Sequence, residues 1–349
     1  MSDKNKNYSA IIIGSGCLGA SVFRALKLKG ITKVLLIDKG KIGGGISSQS
    51  GGMVRVFHRR EKDRMFAKYS QNVFYSLEKE IGLNISRVGS LCIISKEEMN
   101  GINCNDFEII SYEELKKRFP EFDFFPDEVG IYEKDGASIC VKEYAKKLIN
   151  HYRDEEDDIL ENTHVHKIDS SANGMHKVVT AAGLFQSPRV IVSSGLGLRK
   201  ILPEIYEDES IEKREITTYR VQTKTRVNIP NFFDYTKVFY GTSSFQGAKG
   251  NFRVGVKSGT KDSFIKVKKY LKKRILLDYE ISEEKVSASD IYTKSRDGFV
   301  GEVCGRDGVY VLAGWGGGAF KFSPFLGNKM VEHITSKKQM IGSFYENTI

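Results

Sequence analysis

No run in this 349-residue chain approaches the roughly 18 apolar residues needed to cross a bilayer. The polar start, Met1 to Asn7, has no apolar stretch behind it as a secretory leader does. A soluble, cytoplasmic protein without a membrane partner is expected. Cysteines are few: Cys17, Cys92, Cys104, Cys140 and Cys304 are scattered, odd in number and form no Cys-x-x-Cys pair. That argues against a disulfide framework and against a zinc site, so no metal is expected. Zinc-finger spacing, RNA-binding aromatic signatures and long Lys/Arg tracts are absent too, and no nucleic-acid partner is expected. The net charge of +10 suits an anionic cofactor or an acidic partner protein instead. No internal repeat or low-complexity segment is found.

What is present is globular usage, with 40% hydrophobic and 28% charged residues, 21 Phe and 16 Tyr. The length suits one or two interlocked domains. Tyr8 to Ile13 reads as a buried strand, Leu18 to Leu28 as a helix ending near Gly30, and Lys33 to Ile37 as a second strand. Together they form one βαβ unit with parallel neighbours. Helices are predicted over Glu61–Ile81, Tyr112–Arg118 and Val141–Tyr152, with short strands over Val88–Ile94 and Val129–Tyr132. After the acidic run Asp154–Asp158, strands are predicted over Thr163–Ile168, His176–Thr180 and Arg189–Val192, with a turn at Asn173–Gly174. Alternation between Ile216 and Val256 signals antiparallel sheet. Ser263 to Tyr279 reads as a basic amphipathic helix capped by Asp262 or Ser263, its lysines a solvated face or a docking surface. A final strand over Gly308–Leu312, a glycine loop and a helix over 323–334 close the pattern.

Gly14-Ser15-Gly16-Cys17-Leu18-Gly19 has the G-x-G-x-x-G spacing directly after a strand and directly before a helix, and Asp38 closes the next strand. Gly14 permits the turn, Gly16 lets the backbone approach a pyrophosphate and Gly19 lets helix and strand pack closely. Asp38 is placed to accept ribose hydroxyls and disfavours NADP, but the spacing alone does not separate NAD from FAD. Two further glycine-rich segments favour the longer FAD: residues 43–55, and Ala313-Gly314-Trp315-Gly316-Gly317-Gly318-Ala319-Phe320-Lys321-Phe322-Ser323-Pro324. The second precedes the last helix, with Ser323 as its expected N-cap and Pro324 at its first position. A helix N-terminus there would stabilise negative charge on a reduced flavin.

Five ordered motifs carry a resemblance across nearly the whole chain: the fingerprint, Ile37-Asp38-Lys39, residues 47–55, Val190 to Gly195, and Gly314 to Ser323. On these the chain resembles the D-amino-acid-oxidase-like family of FAD oxidoreductases, and within it the monomeric sarcosine and glycine oxidases. The resemblance implies an α/β fold: an FAD-binding Rossmann-like domain of the glutathione-reductase type, from residues 1–86, 140–214 and 287–349. Residues 87–139 and 215–286 would form an antiparallel-sheet substrate or partner domain. It places FAD against Gly14, Ser15, Gly16, Cys17, Leu18, Gly19, Asp38 and Lys39 at one end. Ser47, Ser48, Gln49, Gly51, Gly52, Met53, Val165 (facing adenine), Ser194 and Gly195 would follow. Gly314, Gly316, Gly317, Gly318, Phe320 and Lys321 would hold the redox end. The catalytic positions it implies are Lys321, facing a substrate carboxylate, with Arg55, His58 and Arg253.

The pattern departs from the sarcosine oxidases where it bears on chemistry. Asp290 stands where relatives attach FAD through a cysteine, so noncovalent flavin is expected. Arg253 replaces the lysine that promotes oxygen reduction, and arginine gives up a proton less readily. His58 replaces a carboxylate-binding arginine, and Lys257 a pocket histidine. Two functions follow from the resemblance. The first is oxidation of a small amine or amino acid by hydride transfer to flavin. The second is oxidative modification, hydroxylation of a Trp in an acidic partner polypeptide, as in flavoproteins of cysteine tryptophylquinone biogenesis.

Overall fold

The computed structural model of the chain describes residues 5–170, 174–207, 211–225, 228–243, 250–256 and 262–336. Strand Ala10–Ile13, helix Cys17–Leu28 and strand Val34–Ile37 follow one another as the sequence predicts, and every residue of both strands is buried. Strands apolar on both sides need cover on both faces. They sit inside a six-stranded sheet in the order Asp158–Leu160, Val34–Ile37, Ala10–Ile13, Val190–Val192, Val309–Ala313, Phe299–Glu302. Its first five strands are parallel and the last is antiparallel.

Alternate residues serve the two faces. Ala10, Ile12, Leu36 and Leu312 pack under Phe23, Phe66, Phe74, Tyr144, Phe325 and Met330, which come from helices Cys17–Leu28, Glu61–Ile81, Val141–Tyr152 and Ala319–Ser336. Ile11, Ile13, Leu35, Val192 and Val311 face Ile168, Val178 and Phe185 of a four-stranded sheet. That sheet comprises Asn5–Asn7, Gly183–Ser187, His176–Thr180 and Val165–Asp169. The result is a layer of helices, a parallel layer and a second sheet, with the carboxyl ends of the parallel strands meeting the glycine-rich turns.

The second large sheet has eight strands, ordered Tyr279–Thr293, Ile211–Thr223, Asn251–Val256, Phe239–Ser243, Asn231–Asp234, Ser90–Ser95, Glu128–Glu133, Glu108–Ile110. It is antiparallel except where Asn231–Asp234 runs parallel to Ser90–Ser95. One face carries Leu91, Ile93, Tyr219, Val221, Phe232 and Val254 and packs beneath Val267, Tyr270 and Leu271 of helix Ser263–Arg274. The other face overlooks the candidate site. The expected junctions at 214/215 and 286/287 lie inside the two long strands Ile211–Thr223 and Tyr279–Thr293, which pair with each other along their length.

Several local expectations change. The basic helix stops at Arg274, whose side chain turns inward to Glu128 and Asp234; Ile275 then bridges Phe122, and a bend leads into strand Tyr279–Thr293. Neither expected cap works through its side chain: Asp262 makes no capping bond, and the Ser263 hydroxyl pairs with Tyr219. The terminal helix begins at Ala319 and not Ser323. Ser323 donates its hydroxyl to the Phe320 carbonyl at 2.8 Å. That carbonyl would otherwise go without its partner, because Pro324 has no N–H. Inside the acidic run, Asp157 is buried; it accepts the Val34 N–H at 2.8 Å and pairs with Lys27 at 2.9 Å, and strand Asp158–Leu160, which was not anticipated, starts at the end of the run. Strands Gly183–Ser187 and Phe299–Glu302 were not anticipated. Asn173, of the expected turn, lies outside the described residues. None of the described helices is long and apolar enough to cross a membrane.

Candidate active site

The fingerprint turn is built by close backbone approach. Gly14 has φ of +106°, and a Cβ there would lie 2.5 Å from the Ser193 carbonyl oxygen; a Cβ at Gly19 would lie 1.8 Å from the Gly14 oxygen. Only glycine fits either place. Helix Cys17–Leu28 starts from Gly16 with no side-chain cap, so its N-terminal end is left for an anion. The Cys17 N–H donates to the Ser47 hydroxyl at 3.1 Å, which ties the turn to the second glycine-rich segment. The Cys17 side chain itself is buried in the core.

Asp38 differs from its expected role in part. Its Oδ2 accepts both the Ser15 N–H and the Ser15 hydroxyl at 2.7 Å, and Oδ1 accepts the Gly40 N–H at 2.8 Å. A carboxylate has about four acceptor sites, so this one braces the turn and keeps one for a hydroxyl outside it. Lys39, Ser48 and Gln49 are exposed, while Gly52 and Met53 are buried, with Met53 in a short strand against Ser138. Val165 is half-buried at the start of its strand. Phe320 does not face a cofactor: its ring packs in the core, 5.0 Å from Phe74 and 5.6 Å from Tyr144.

At the closing loop, Gly316–Gly318 form a tight turn that runs straight into helix Ala319–Ser336, and the Gly317 N–H donates to the Tyr292 hydroxyl at 3.0 Å. Seven buried polar atoms find no partner among the described residues; Ser90 Oγ and the two His176 ring nitrogens are three of them, and the other four are Ser194 Oγ, Trp315 Nε1, Arg55 Nε and Thr218 Oγ1. Such orphans are uncommon in folded proteins and call for an explanation. Ser194 adjoins the fingerprint, where its Cα would lie 2.9 Å from a Cβ on Gly14; the Trp315 indole packs on Phe66 and Phe322 with Nε1 turned to Gly298, so it reports nothing about the cradle. With Ser194 orphaned and a glycine turn at each end, the cradle fits an elongated dinucleotide reaching from the first turn to the last.

Beyond that end lies a cationic, aromatic pocket. Arg55 is 4% exposed; its guanidinium donates to the Phe57 carbonyl and, at 3.3 Å, to the Tyr235 hydroxyl, and lies 5.1 Å from the Phe233 ring centre. The Cys92 thiol lies 3.7 Å away and burial pushes it up to about 11, so it is a neutral wall. Glu133 positions the Arg55 segment by accepting the Val56 and Phe57 N–H groups at 2.6 and 3.0 Å. Burial raises its pKa. His58 is buried with Nδ1 2.9 Å from the Val56 carbonyl, and burial together with Arg55 and Lys321 keeps it neutral. Lys321, half-buried on the terminal helix, is pushed down to about 7 by burial and by Arg55. Neither Arg55 nor Lys321 has a carboxylate ion-pair partner among the described residues.

The fold thus brings Arg55, His58 and Lys321 together, with Arg253 set apart. Arg253 donates to the Gln49 carbonyl at 3.4 Å and is held below the usual range by burial and by Arg220. Asp290, beside the cofactor cradle, is pushed up to about 6 by burial. Lys257 lies outside the described residues. Tyr235, Phe233, Glu133 and Cys92 were not anticipated: the last three reach the pocket from strands Asn231–Asp234, Glu128–Glu133 and Ser90–Ser95, and Tyr235 from the turn that follows Asn231–Asp234.

A profile of the FAD dependent oxidoreductase family, DAO, matches residues 9–333. The chain belongs to this family. It is an FAD-dependent oxidoreductase. This flavoenzyme is 24% identical over 266 residues to the monomeric sarcosine oxidase of Arthrobacter sp. (strain TE1826), a match covering 69% of this chain and 67% of that one. Its fold superposes on L-proline dehydrogenase from P. horikoshii with a TM-score of 0.81 and 19% identity, over 97% and 96% of the two chains. Glycine oxidase from Geobacillus kaustophilus gives 0.79 and 17%, over 98% of each.

Proposed function

We propose that the chain oxidises a small amine or amino acid at the bond between its nitrogen and the adjacent carbon, with noncovalently held FAD as hydride acceptor. The observation that carries this is the pair Arg55 and Lys321, two cations in an aromatic pocket without a carboxylate ion-pair partner among the described residues. Glu133 acts on both cations without pairing with either, and a substrate carboxylate would make the direct pair. Gly14, Ser15, Gly16, Asp38, Ser194 and the Gly316–Gly318 turn would hold the flavin, which supplies two-electron redox chemistry when bound. Asp290 at the position where relatives carry a cysteine supports the noncovalent mode.

The chain's own residues do the positioning. Arg55, fixed by Tyr235 and the Phe57 carbonyl, is a rigid fork; Lys321 is a movable point charge. Phe233 and Tyr235 exclude water, which strengthens both attractions. His58, neutral and donating to Val56, adds no competing charge. Orientation then accounts for most of what the protein contributes, since hydride transfer needs no strong base once the amine is neutral.

Anaerobic mixing of the holoprotein with a panel of amino acids and N-methyl amino acids tests the proposal. Bleaching of the yellow flavin absorbance by one of them is expected. Failure of the whole panel would refute it and turn attention to a side chain of a partner polypeptide as the oxidised group.

A further inference from the structure

The site-facing side of the eight-stranded sheet carries charges that the hydride chemistry does not use. Register sets Arg220 of Ile211–Thr223 directly opposite Arg253 of Asn251–Val256, and Arg253 directly opposite Thr242. Residues paired this way share a face. Along the adjacent row, Thr218 opposes Gly255, Gly255 opposes Tyr240, Tyr240 opposes Phe233 and Phe233 opposes Cys92. Phe233 is the ring beneath Arg55, so the two arginines and the candidate pocket share one wall. Two strand spacings and one two-residue step put Arg253 about 12 Å from Phe233, Cα to Cα.

Like charges directly opposite in a sheet disfavour the pairing. No carboxylate among the described residues pairs with either arginine. Arg253 is half-buried and donates only to the Gln49 carbonyl, and exposed Arg220 has no ion pair or hydrogen bond among them. Burial and Arg220 together hold Arg253 below the usual arginine range. Thr218, two residues from Arg220 on the same face, buries a hydroxyl without a partner. Two adjacent guanidiniums and a free hydroxyl are a recognition set for an oxyanion. One end of the pair opens to solvent; the other touches Gln49, six residues before Arg55.

We propose that Arg220 and Arg253 clamp a second oxyanion of the substrate, so the molecule oxidised is an acidic amine or amino acid. It carries a carboxylate or phosphate beyond the carboxylate that Arg55 and Lys321 address. This rests on the function proposed above. Titration calorimetry on the holoprotein with racemic alanine, glutamate and O-phosphoserine tests it without requiring turnover. Glutamate or O-phosphoserine should bind at least tenfold tighter than alanine, the tighter of the two identifying the oxyanion. Arg220→Gln should cut that acidic preference at least tenfold, and Arg220→Lys should restore part of it, with the flavin absorbance spectrum reporting the fold. Equal binding of alanine and the acidic ligands, or an unchanged preference in Arg220→Gln, overturns the clamp. If the amine panel fails to bleach the flavin, the amine-oxidising function falls, while this titration still reads the clamp separately.

Discussion

At Lys321 a single proton decides how the pocket treats a carboxylate. Burial and Arg55 bring the ammonium down to about 7, so it is charged below that pH and neutral above it. KM for a carboxylate substrate should therefore rise as pH climbs through about 7, and Lys321→Arg should flatten that rise because a guanidinium stays charged. Lys321→Met should weaken substrate binding about 10- to 100-fold, the worth of one charge-assisted contact, while flavin stays bound. Steady-state kinetics across pH 6 to 9 with the flavin spectrum as control check both. Asp290 gives a second pH dependence, in stability and not in binding. Its folded pKa, about 6, lies above the unfolded value, so its contribution to stability is present at low pH and lost as pH rises through about 6. Asp290→Asn should remove that fall, measured by urea unfolding at pH 4.5 and 6.5. Arg55, His58 and Lys321 entered through the family resemblance, which the glycine-rich segments they lie in or just beyond carry. Glu133 and Tyr235 were not legible, since they meet the Arg55 segment from 77 and 180 residues away and a single sequence carries no trace of such pairing.

Among the elements, the strand, turn and helix around Gly14 were legible to within two residues at their ends, for a reason that predicts a phenotype. The turn needs positive φ and leaves no room for a Cβ beside the Ser193 carbonyl, so Gly14→Ala strains the backbone and displaces Ser193 and Ser194 at once. The variant should purify largely colourless, and added FAD should fail to restore the flavin spectrum. Helices Glu61–Ile81, Tyr112–Arg118 and Val141–Tyr152 were also read with their exact ends, since apolar periodicity and flanking breakers agree there. The terminal helix misled because Ser-Pro is an ordinary helix start, and only the fold shows Ser323 satisfying the Phe320 carbonyl within a helix already begun. Ser323→Ala should cost about 1 kcal/mol through that lost bond, seen as a lower denaturation midpoint.

For the molecule as a whole, the sequence shows four of the five parallel strands, which are short apolar runs, but not Asp158–Leu160 at the end of the acidic run, nor how the eight-stranded sheet is locked. Tyr279–Thr293 is rich in acidic and hydroxyl residues and lacks the apolar alternation that marks a strand; its place is set by pairing with Ile211–Thr223. The lock beneath that sheet is equally silent in sequence, because a lysine- and arginine-rich helix face looks solvated. Yet Arg274 is 1% exposed and bridges two strands, with both guanidinium ends on Glu128 at 2.7 Å and one also on Asp234 at 2.8 Å, while Tyr270 donates to Asp234 at 3.1 Å. Arg274 holds Glu128 below the usual carboxylate range. Removing the arginine leaves two buried carboxylates without compensation, so Arg274→Met should destabilise by about 3–5 kcal/mol. The sign with pH follows from the same charges. Deprived of Arg274, both carboxylates favour protonation, so the deficit should shrink as pH falls from 7 toward 5, whereas loss of packing alone would leave it constant. Thermal unfolding of wild type and variant at the two pH values, followed by flavin release, separates these outcomes.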